Sequence, residues 1–509
     1  MSGNSESKEI ERDLRFLAKS SLFVFIGLFL SKVLTYIYRV LIARYFGPDS
    51  YGVFSLALIV LGIFISLSSV GLPGGISRFV PYYLGEKQYG KVSYLLKFSG
   101  FVMVLISLFL GIVMFLTSDL IALNFFEDSN LVIPLKIFSL LVPLSVIGNL
   151  FLDIIKSHEK PGWYSFLSNI LSNFSKVAAL LFLILIGVSV NSIYLSYAFS
   201  IIAVLIVSLL FLRKIFGTRK TKDISAKEKR YIRREILSYS WPLIVLGLIT
   251  KLYAWTDSLT IGYFLNATEV GYYNAALPIA LLLSIAPEIF MVLFVPIINR
   301  SFSKKNNVST SELSKQVSKW IFIINIPLFF ILIIFPGVLL NLLFGPEYLV
   351  AENALRILSL GSFLSSFLYI SEKLILMKGK SKVILINVVI TLAINLVLNI
   401  LLVPKYGIAG AAASTSFVWF LMAIILTTEG YHYTKIIPIR RKVIKISLIS
   451  LIPLAVILLA RKFVEVNIYS LVLIGFLYVL LYVLLIIFTK ALDRNDLLII
   501  KAIRKKIGF

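Results

Sequence analysis

The chain has 509 residues, of which 59% are hydrophobic, and its mean hydropathy is +0.95. Soluble proteins contain roughly 45–50% apolar residues, so this composition excludes a soluble enzyme and a soluble binding protein. Two histidines and no cysteine exclude disulfides, thiolate metal sites and cysteine nucleophiles.

Long apolar runs separated by polar breaks predict fourteen membrane-spanning helices, because a helix needs ~20 apolar residues to cross the hydrocarbon core. Residues 1–19 are charged and lead into the first run without a small-residue cleavage site, which predicts an uncleaved first span rather than a signal peptide. In chain order the predicted spans are 20–42, 51–72, 95–117, 131–152, 165–187, 191–212, 238–261, 271–297, 319–343, 354–376, 383–403, 408–428, 444–460 and 468–489.

The lysines and arginines agree with this topology, because cytoplasmic loops of membrane proteins are the basic ones. If the N-terminus lies inside, alternate connections contain 40 of the 50 basic residues, and the other connections are short and mostly acidic. This predicts that both termini are cytoplasmic. It also explains the net charge of +25 by topology and by attraction to anionic inner-leaflet lipids, without nucleic acid. The basic stretch 213–234 is either a plain cytoplasmic linker or a lipid-binding or regulatory segment.

The two halves of the chain resemble each other at an offset of 218–220 residues. The matches are Tyr45-Phe46 with Tyr263-Phe264, LKIFSL at 135–140 with LRILSL at 355–360, and Asn169 with Asn387. Spans 1–6 and 7–12 would both begin inside, so the repeat is parallel, with a pseudo-two-fold axis along the membrane normal. Transporters built from repeated halves place substrate between them and alternate access by rocking.

This repeat predicts four parts of the chain. They are an N-lobe at 1–217, a basic cytoplasmic linker at 218–234, a C-lobe at 235–440, and spans 13 and 14 with a basic cytoplasmic tail at 441–509.

Charged residues inside spans are the candidates for function, because a charge at the bilayer centre costs about 2.5–3.5 kcal/mol. Lys32 and Arg39 are seven residues apart, close to two helical turns, with Tyr36 between them on the same face. Lys176 is similarly deep in span five, and Arg78 follows span two at the inner mouth. We interpret these five as substrate-binding residues of a cavity. One alternative is that these side chains extend to the membrane interface and place their charges in water. For Arg78, the alternative is that it is basic only because cytoplasmic connections carry an excess of lysine and arginine.

Lys251, Asp257 and Glu288 are candidates for gating or ion coupling. Glu288 follows Pro287, which frees a backbone carbonyl and bends the helix. This acid either titrates or binds a cation, or it pairs with Lys251 or another basic residue and only holds helices together. Asp257 lies at offset 218 from Arg39. The two would pair across the cavity when the lobes approach, or Asp257 pairs within its own lobe.

No motif for catalysis, metal binding or a cofactor is present. Gly379-Lys380-Ser381 lacks the glycine five positions earlier that a phosphate loop requires, so no ATP site is predicted. The longest predicted outer loop has about 14 residues, too few for the paired acids of a membrane glycosyltransferase.

Several stretches resemble the polysaccharide-transporter (Wzx-type oligosaccharide flippase) family of the multidrug/oligosaccharidyl-lipid/polysaccharide exporter superfamily. PKYGIAGAA at 404–412 resembles the family's turn between spans eleven and twelve. ARYFGP at 43–48 with YG at 51–52, and FGPEY at 344–348, resemble its outer turns.

The first span is also similar to that of the lipid II flippase family, through SKVLTY at 31–36 and ARYFG at 43–47. In that pattern Lys32 takes the place of a cavity arginine. The family's second arginine falls on Tyr38, with Arg39 one residue later and about 100° around the helix. This departure favours a lipid-linked glycan other than lipid II.

The resemblance implies an all-α integral membrane protein with two pseudo-symmetric six-helix lobes in a V and two extra C-terminal helices that line a groove for a lipid tail. It implies a transporter, not an enzyme, that flips a lipid-linked oligosaccharide on a polyprenyl phosphate from the cytoplasmic to the outer leaflet of the cell membrane. Its role would be cell-surface polysaccharide or glycoprotein synthesis.

The expected partners are this glycan, membrane lipids and a coupling proton or sodium ion, with the protein acting as a monomer. Two alternatives remain open: an ion-coupled multidrug or small-molecule exporter of the same superfamily, and a membrane glycan polymerase or glycosyltransferase.

The topology is testable by labelling, because the chain has no native cysteine. A single cysteine in place of Ser225 should react with an impermeant thiol reagent only after the cells are opened, since the loop 213–236 is predicted to be cytoplasmic. Labelling from outside intact cells would overturn the topology.

Overall fold

The computed structural model describes residues 2–216, 224–303, 307–366, 368–463, 468–489 and 491. In this part of the chain the regular structure is helical, with no strand. Residues 218–223 of the predicted linker and the predicted basic tail, apart from Ala491, lie outside the described residues.

Seventeen α-helices are found among the described residues. They are α1 (Ser2–Ser69), α2 (Leu72–Gly85), α3 (Tyr89–Leu116), α4 (Val132–Ser157), α5 (Pro161–Ser165), α6 (Ser172–Leu185), α7 (Asn191–Phe216), α8 (Ala226–Phe264), α9 (Ala267–Ala280), α10 (Ile285–Ser303), α11 (Asn307–Ile334), α12 (Pro336–Leu343), α13 (Glu352–Ser366), α14 (Ile370–Met377), α15 (Ser381–Thr434), α16 (Lys442–Phe463) and α17 (Ile468–Phe488).

Ten helical segments of the described chain are long and apolar enough to cross a membrane. Two of them contain a sharp break at a glycine: Gly47 in α1 has φ 79°, and Gly407 in α15 has φ 59°. Positive φ favours glycine because it has no Cβ. Both glycines lie where the sequence predicts turns, between spans one and two and between spans eleven and twelve. The protein is therefore a multi-pass helical membrane protein, while the count of fourteen spans stays a prediction.

The chain divides into two compact units, and the first comprises Met1–Gly271. Its centre is α4, which packs against α1, α3 and α7. A core of buried apolar side chains joins α2, α3, α4 and α8, and it includes Ile76, Val92, Ile155 and Ile236. The helix α8 begins with a capping box, in which the Ser225 side chain and Glu228 satisfy each other's backbone N–H groups.

The second unit comprises Tyr272–Phe509. In it α15 packs against α13 and α14, while α10 and α11 pack against each other. The helices α16 and α17 pair and contact α11, and the Tyr482 hydroxyl of α17 donates a hydrogen bond to the Ile323 carbonyl of α11 (3.2 Å). The domain limits predicted from the sequence divide the chain at the basic linker instead, and they stay a prediction.

A close helix crossing within the first unit depends on two glycines. A Cβ added to Gly52 of α1 would lie 1.7 Å from the Ala267 carbonyl oxygen, and one added to Gly271 would lie 2.1 Å from the Pro48 carbonyl oxygen. Any side chain here would collide with backbone. Small residues allow helix backbones to approach this closely in membranes.

This crossing joins positions that are equivalent in the predicted repeat. Gly52 and Gly271 are 219 residues apart, and Thr268 Oγ1 donates a hydrogen bond to Asp49 Oδ1 (3.2 Å) across the same separation. Equivalent surfaces meet each other at a two-fold axis. If the repeat is parallel, its pseudo-two-fold axis would therefore pass through the crossing of Gly52 and Gly271.

Gly52→Ala should lower the thermal unfolding temperature of the purified protein in detergent. The new methyl group must displace the Ala267 backbone, and overpacking typically costs about 1–3 kcal/mol. Gly148→Ala is the matched control, since Gly148 lies inside α4 with no atom within 4 Å of an added Cβ. Equal unfolding temperatures for the two variants would contradict this account of the crossing.

Candidate functional site

The basic stripe predicted on the first span is present on α1. Lys32, Tyr36 and Arg39 are all half-buried, whereas Val33 and Ile37, on another face of the helix, are exposed. The charged stripe is thus separated from the apolar surface that suits lipid contact. Arg39 is fixed by another residue of α1. Its guanidinium hydrogen-bonds the hydroxyl of the buried Tyr51, which lies beyond the break at Gly47.

Lys176 of α6 converges on this stripe. Its ammonium lies 5.4 Å from the centre of the Tyr197 ring on α7, and a cation over an aromatic face gains up to about 2 kcal/mol when desolvated. Lys176 and Arg39 are close enough to repel each other. Two neighbouring cations in apolar surroundings form a site that an anion would neutralise.

Asn173, which is not among the predicted site residues, fixes α6 against α1. Its Nδ2 donates to Ser31 Oγ (2.9 Å), and its Oδ1 accepts from Thr35 Oγ1 (3.1 Å). These two partners flank Lys32 on the chain, so the clamp positions the first cation of the stripe. Asn173 also donates to the Asn169 carbonyl (2.7 Å). The signal available in the sequence was the pair of asparagines four residues apart in an apolar span.

Tyr38 occupies the place of the second arginine of the lipid II flippase pattern, and here it is a packing residue. Its side chain is buried, and its hydroxyl donates to the Ile193 carbonyl (3.1 Å) and lies 2.9 Å from Ser196 Oγ on α7. Its ring contacts Phe54 edge to face. The cation in this part of α1 is therefore Arg39, and its role in substrate binding stays a prediction.

The three candidates for gating or ion coupling have different environments. Asp257 of α8 is buried, with 9% of its surface exposed. Lys251 is exposed on the same helix, and its ammonium lies 4.8 Å from the centre of the Trp255 ring. Glu288, in the second unit, is exposed and accepts a hydrogen bond from Ser284 Oγ (3.3 Å). Burial makes Asp257 the carboxylate whose charge most needs compensation.

Arg78 lies on α2, where its exposed guanidinium stacks 4.5 Å from the Tyr239 ring centre on α8 and 5.3 Å from that of Phe79. It borders a polar cavity between these helices rather than the α1 stripe.

An apolar cavity of about 350 Å³ lies between α16 and α17 in the second unit. Its wall is almost entirely hydrocarbon and includes Pro453, Val456, Leu477, Leu481 and Leu484. Such a cavity suits an alkyl or isoprenoid chain, which is the kind of ligand that the family resemblance implies for the last two spans.

These features describe a helical membrane protein in which Arg39 and Lys176 lie close together. The family model described as "Polysaccharide biosynthesis protein" matches residues 17–302, more than half of the chain, and the protein belongs to this family. The predictions of the family and of a transporter rather than an enzyme are thereby confirmed.

Two relatives and one solved structure give the context. The chain is 24% identical to "Probable low-salt glycan biosynthesis flippase Agl15" of Haloferax volcanii over 82% of this chain and 83% of that protein. It is 25% identical to "Putative O-antigen transporter" of Shigella flexneri over 76% and 90%, respectively. The structure of lipid II flippase MurJ in its inward closed conformation matches with a TM-score of 0.69 at 21% identity, covering 92% of this chain and 99% of that one, which shows the shared fold.

Proposed function

We propose that the protein flips a lipid-linked oligosaccharide, carried on a polyprenyl phosphate, from the cytoplasmic to the outer leaflet by alternating access. The observation that carries this proposal is the convergence of Arg39 and Lys176, two half-buried cations on neighbouring helices. A phosphate head group does not cross hydrocarbon unaided, and charge-assisted hydrogen bonds from lysine and arginine neutralise it. Relatives named as glycan flippase and O-antigen transporter support the substrate class.

Each part of such a substrate has a matching surface. Lys32, Arg39 and Lys176 would bind the phosphate, and the rings of Tyr36 and Tyr197 would stack on the first sugar. All five side chains are partly exposed, so a ligand can reach them. The phosphate-linked end of the glycan would thus be held at the stripe.

The lipid tail would occupy the apolar cavity between α16 and α17. An isoprenoid chain gains about 25 cal/mol for each Å² of apolar surface removed from water. Its gain from leaving the bilayer is much smaller, so the cavity would guide the tail more than it would bind it.

Asp257 is the carboxylate that we propose for gating or for binding the coupling proton or sodium ion. It lies buried on α8 between Thr256 and Ser258, which are also buried. A buried charge that loses its compensation is destabilised by about 3–5 kcal/mol, so a change in what neutralises Asp257 would shift a conformational equilibrium. Glu288 is exposed, so water compensates its charge and a change of partner would not shift the conformational equilibrium in this way.

Lys32→Ala should lower surface glycan at least tenfold in cells whose own copy of the gene is deleted, while membrane insertion stays normal. A hydrogen bond to a charged group contributes about 1.5–3 kcal/mol, and each 1.4 kcal/mol corresponds to a factor of about ten. Lys32→Arg should retain most of the export. Lys136→Ala is the matched control, since this lysine pairs with Asp119 (2.9 Å) on the surface of a neighbouring span. Normal export by a correctly inserted Lys32→Ala variant would refute the cationic site.

Asp257→Asn should abolish the dependence of transport on the proton or sodium gradient in reconstituted vesicles, and Asp257→Glu should preserve it. The amide keeps the size of the side chain and removes the charge that a cation needs. Glu288→Gln should leave the dependence intact. If Asp257→Asn only lowers the unfolding temperature and transport still follows the gradient, the residue is structural and the coupling role is wrong.

A further inference from the structure

A polar cavity of about 390 Å³ lies between α2, the start of α3 and the start of α8, within the first unit. It is separate from the α1 stripe, and Arg78 is the only predicted site residue on its wall. The connections that contribute to it, 73–97 and 213–236, are among the basic ones, so the positive-inside rule assigns the cavity to the cytoplasmic face.

Two tyrosine–glutamate pairs form one wall of the cavity. The Tyr83 hydroxyl donates to Glu235 Oε2 (3.1 Å), and the Tyr82 hydroxyl hydrogen-bonds Glu86, which directly follows α2. Burial and the Glu235 carboxylate raise the pKa of Tyr83, so this hydroxyl stays a donor at neutral pH. Each carboxylate accepts about four hydrogen bonds. Both therefore keep acceptor capacity toward the cavity.

The wall also contains an acceptor with no donor. Gln88 Oε1 is buried and has no hydrogen-bond partner among the described residues, although the side chain lines the cavity. Buried polar atoms in native proteins are nearly always paired, and an unpaired one calls for a partner such as a water or a ligand. Because this oxygen is closed to solvent, a ligand hydroxyl in the cavity would supply the missing donor after the Gln88 side chain rotates toward the cavity.

The rim presents aromatic faces. Tyr82 and Tyr231 are 58% and 64% exposed, which is high for such large side chains. The charges on the wall of the cavity balance, because it contains two acids, Glu86 and Glu235, and two basic residues, Arg78 and Lys91. Lys91 also forms an ion pair with Glu228 (3.6 Å). Surplus acceptors, exposed tyrosine faces and no excess of positive charge suit a neutral polyhydroxylated ligand and do not suit a phosphate.

We propose that this cavity binds sugar units of the lipid-linked glycan at the cytoplasmic face before translocation, at a site separate from the phosphate site of the α1 stripe. The proposal rests on the proposed function and adds a second contact point for the same substrate. Binding of the glycan through both its phosphate and its sugars would let the protein select a completed oligosaccharide over the bare carrier.

The test uses the oligosaccharide released by mild acid from the cell's own lipid-linked glycans, with the full chain purified in detergent. Binding is measured by saturation transfer from protein to sugar protons and by titration. Gln88→Leu and Tyr82→Ala should each weaken oligosaccharide binding at least tenfold, and Tyr231→Ala should weaken it as well. Tyr82 and Tyr231 are exposed, so their variants should fold normally even if Gln88→Leu does not.

The matched control is Tyr406→Ala, an exposed tyrosine outside the cavity, which should bind like the unmodified protein. No binding, or binding that Tyr82→Ala and Tyr231→Ala leave unchanged, would overturn the proposal. Equal affinity for free maltose would also overturn it, in favour of a soluble sugar. These outcomes are independent of export by Lys32→Ala, so the cationic site and the sugar site can fail separately.

Discussion

The energetic penalty for charge in hydrocarbon determines how the first unit is built. The chain nevertheless places Lys176 and Arg39 inside predicted spans and surrounds them with compensating groups. The Tyr197 ring faces one cation and the Tyr51 hydroxyl the other. Asn173 ties the two helices that carry them. Because lipid offers no hydrogen bonds, every polar group at this depth must find its partner inside the protein.

The same rule gives a different result in the second unit. Asn387 donates to a Glu429 oxygen (2.6 Å), and Asn395 donates to Ser414 and Thr415 of the same helix after its break. Asn387 is the repeat partner of Asn169, so asparagine at this place is common to both halves. At the shared offset of 218, however, Ile394 stands where the first half has Lys176. The halves share polar anchors, while the cation belongs to one half.

Much of the fold was predictable because hydropathy, basic loops and turn glycines are local signals. The breaks at Gly47 and Gly407 lie in predicted turns, and Lys32, Tyr36 and Arg39 share a helix face simply because of helical periodicity. Contacts between distant helices were not predictable in this way. The wall of the polar cavity joins Tyr83 to Glu235, 152 residues later. No pattern in an apolar chain shows which helices will be neighbours, so the sequence assigned Arg78 a role while missing Gln88 beside it.

The crossing of Gly52 and Gly271 has a consequence for motion. Most helix contacts interlock side chains, so their separation requires several torsion angles to change together. Here backbone carbonyls rest against bare Cα atoms, and no side chain at either glycine has to rotate out of the way. One hydrogen bond, from Thr268 to Asp49, accompanies the contact. Two surfaces of this kind could part and meet again without repacking of side chains, so the crossing is suited to act as a pivot between the two helices.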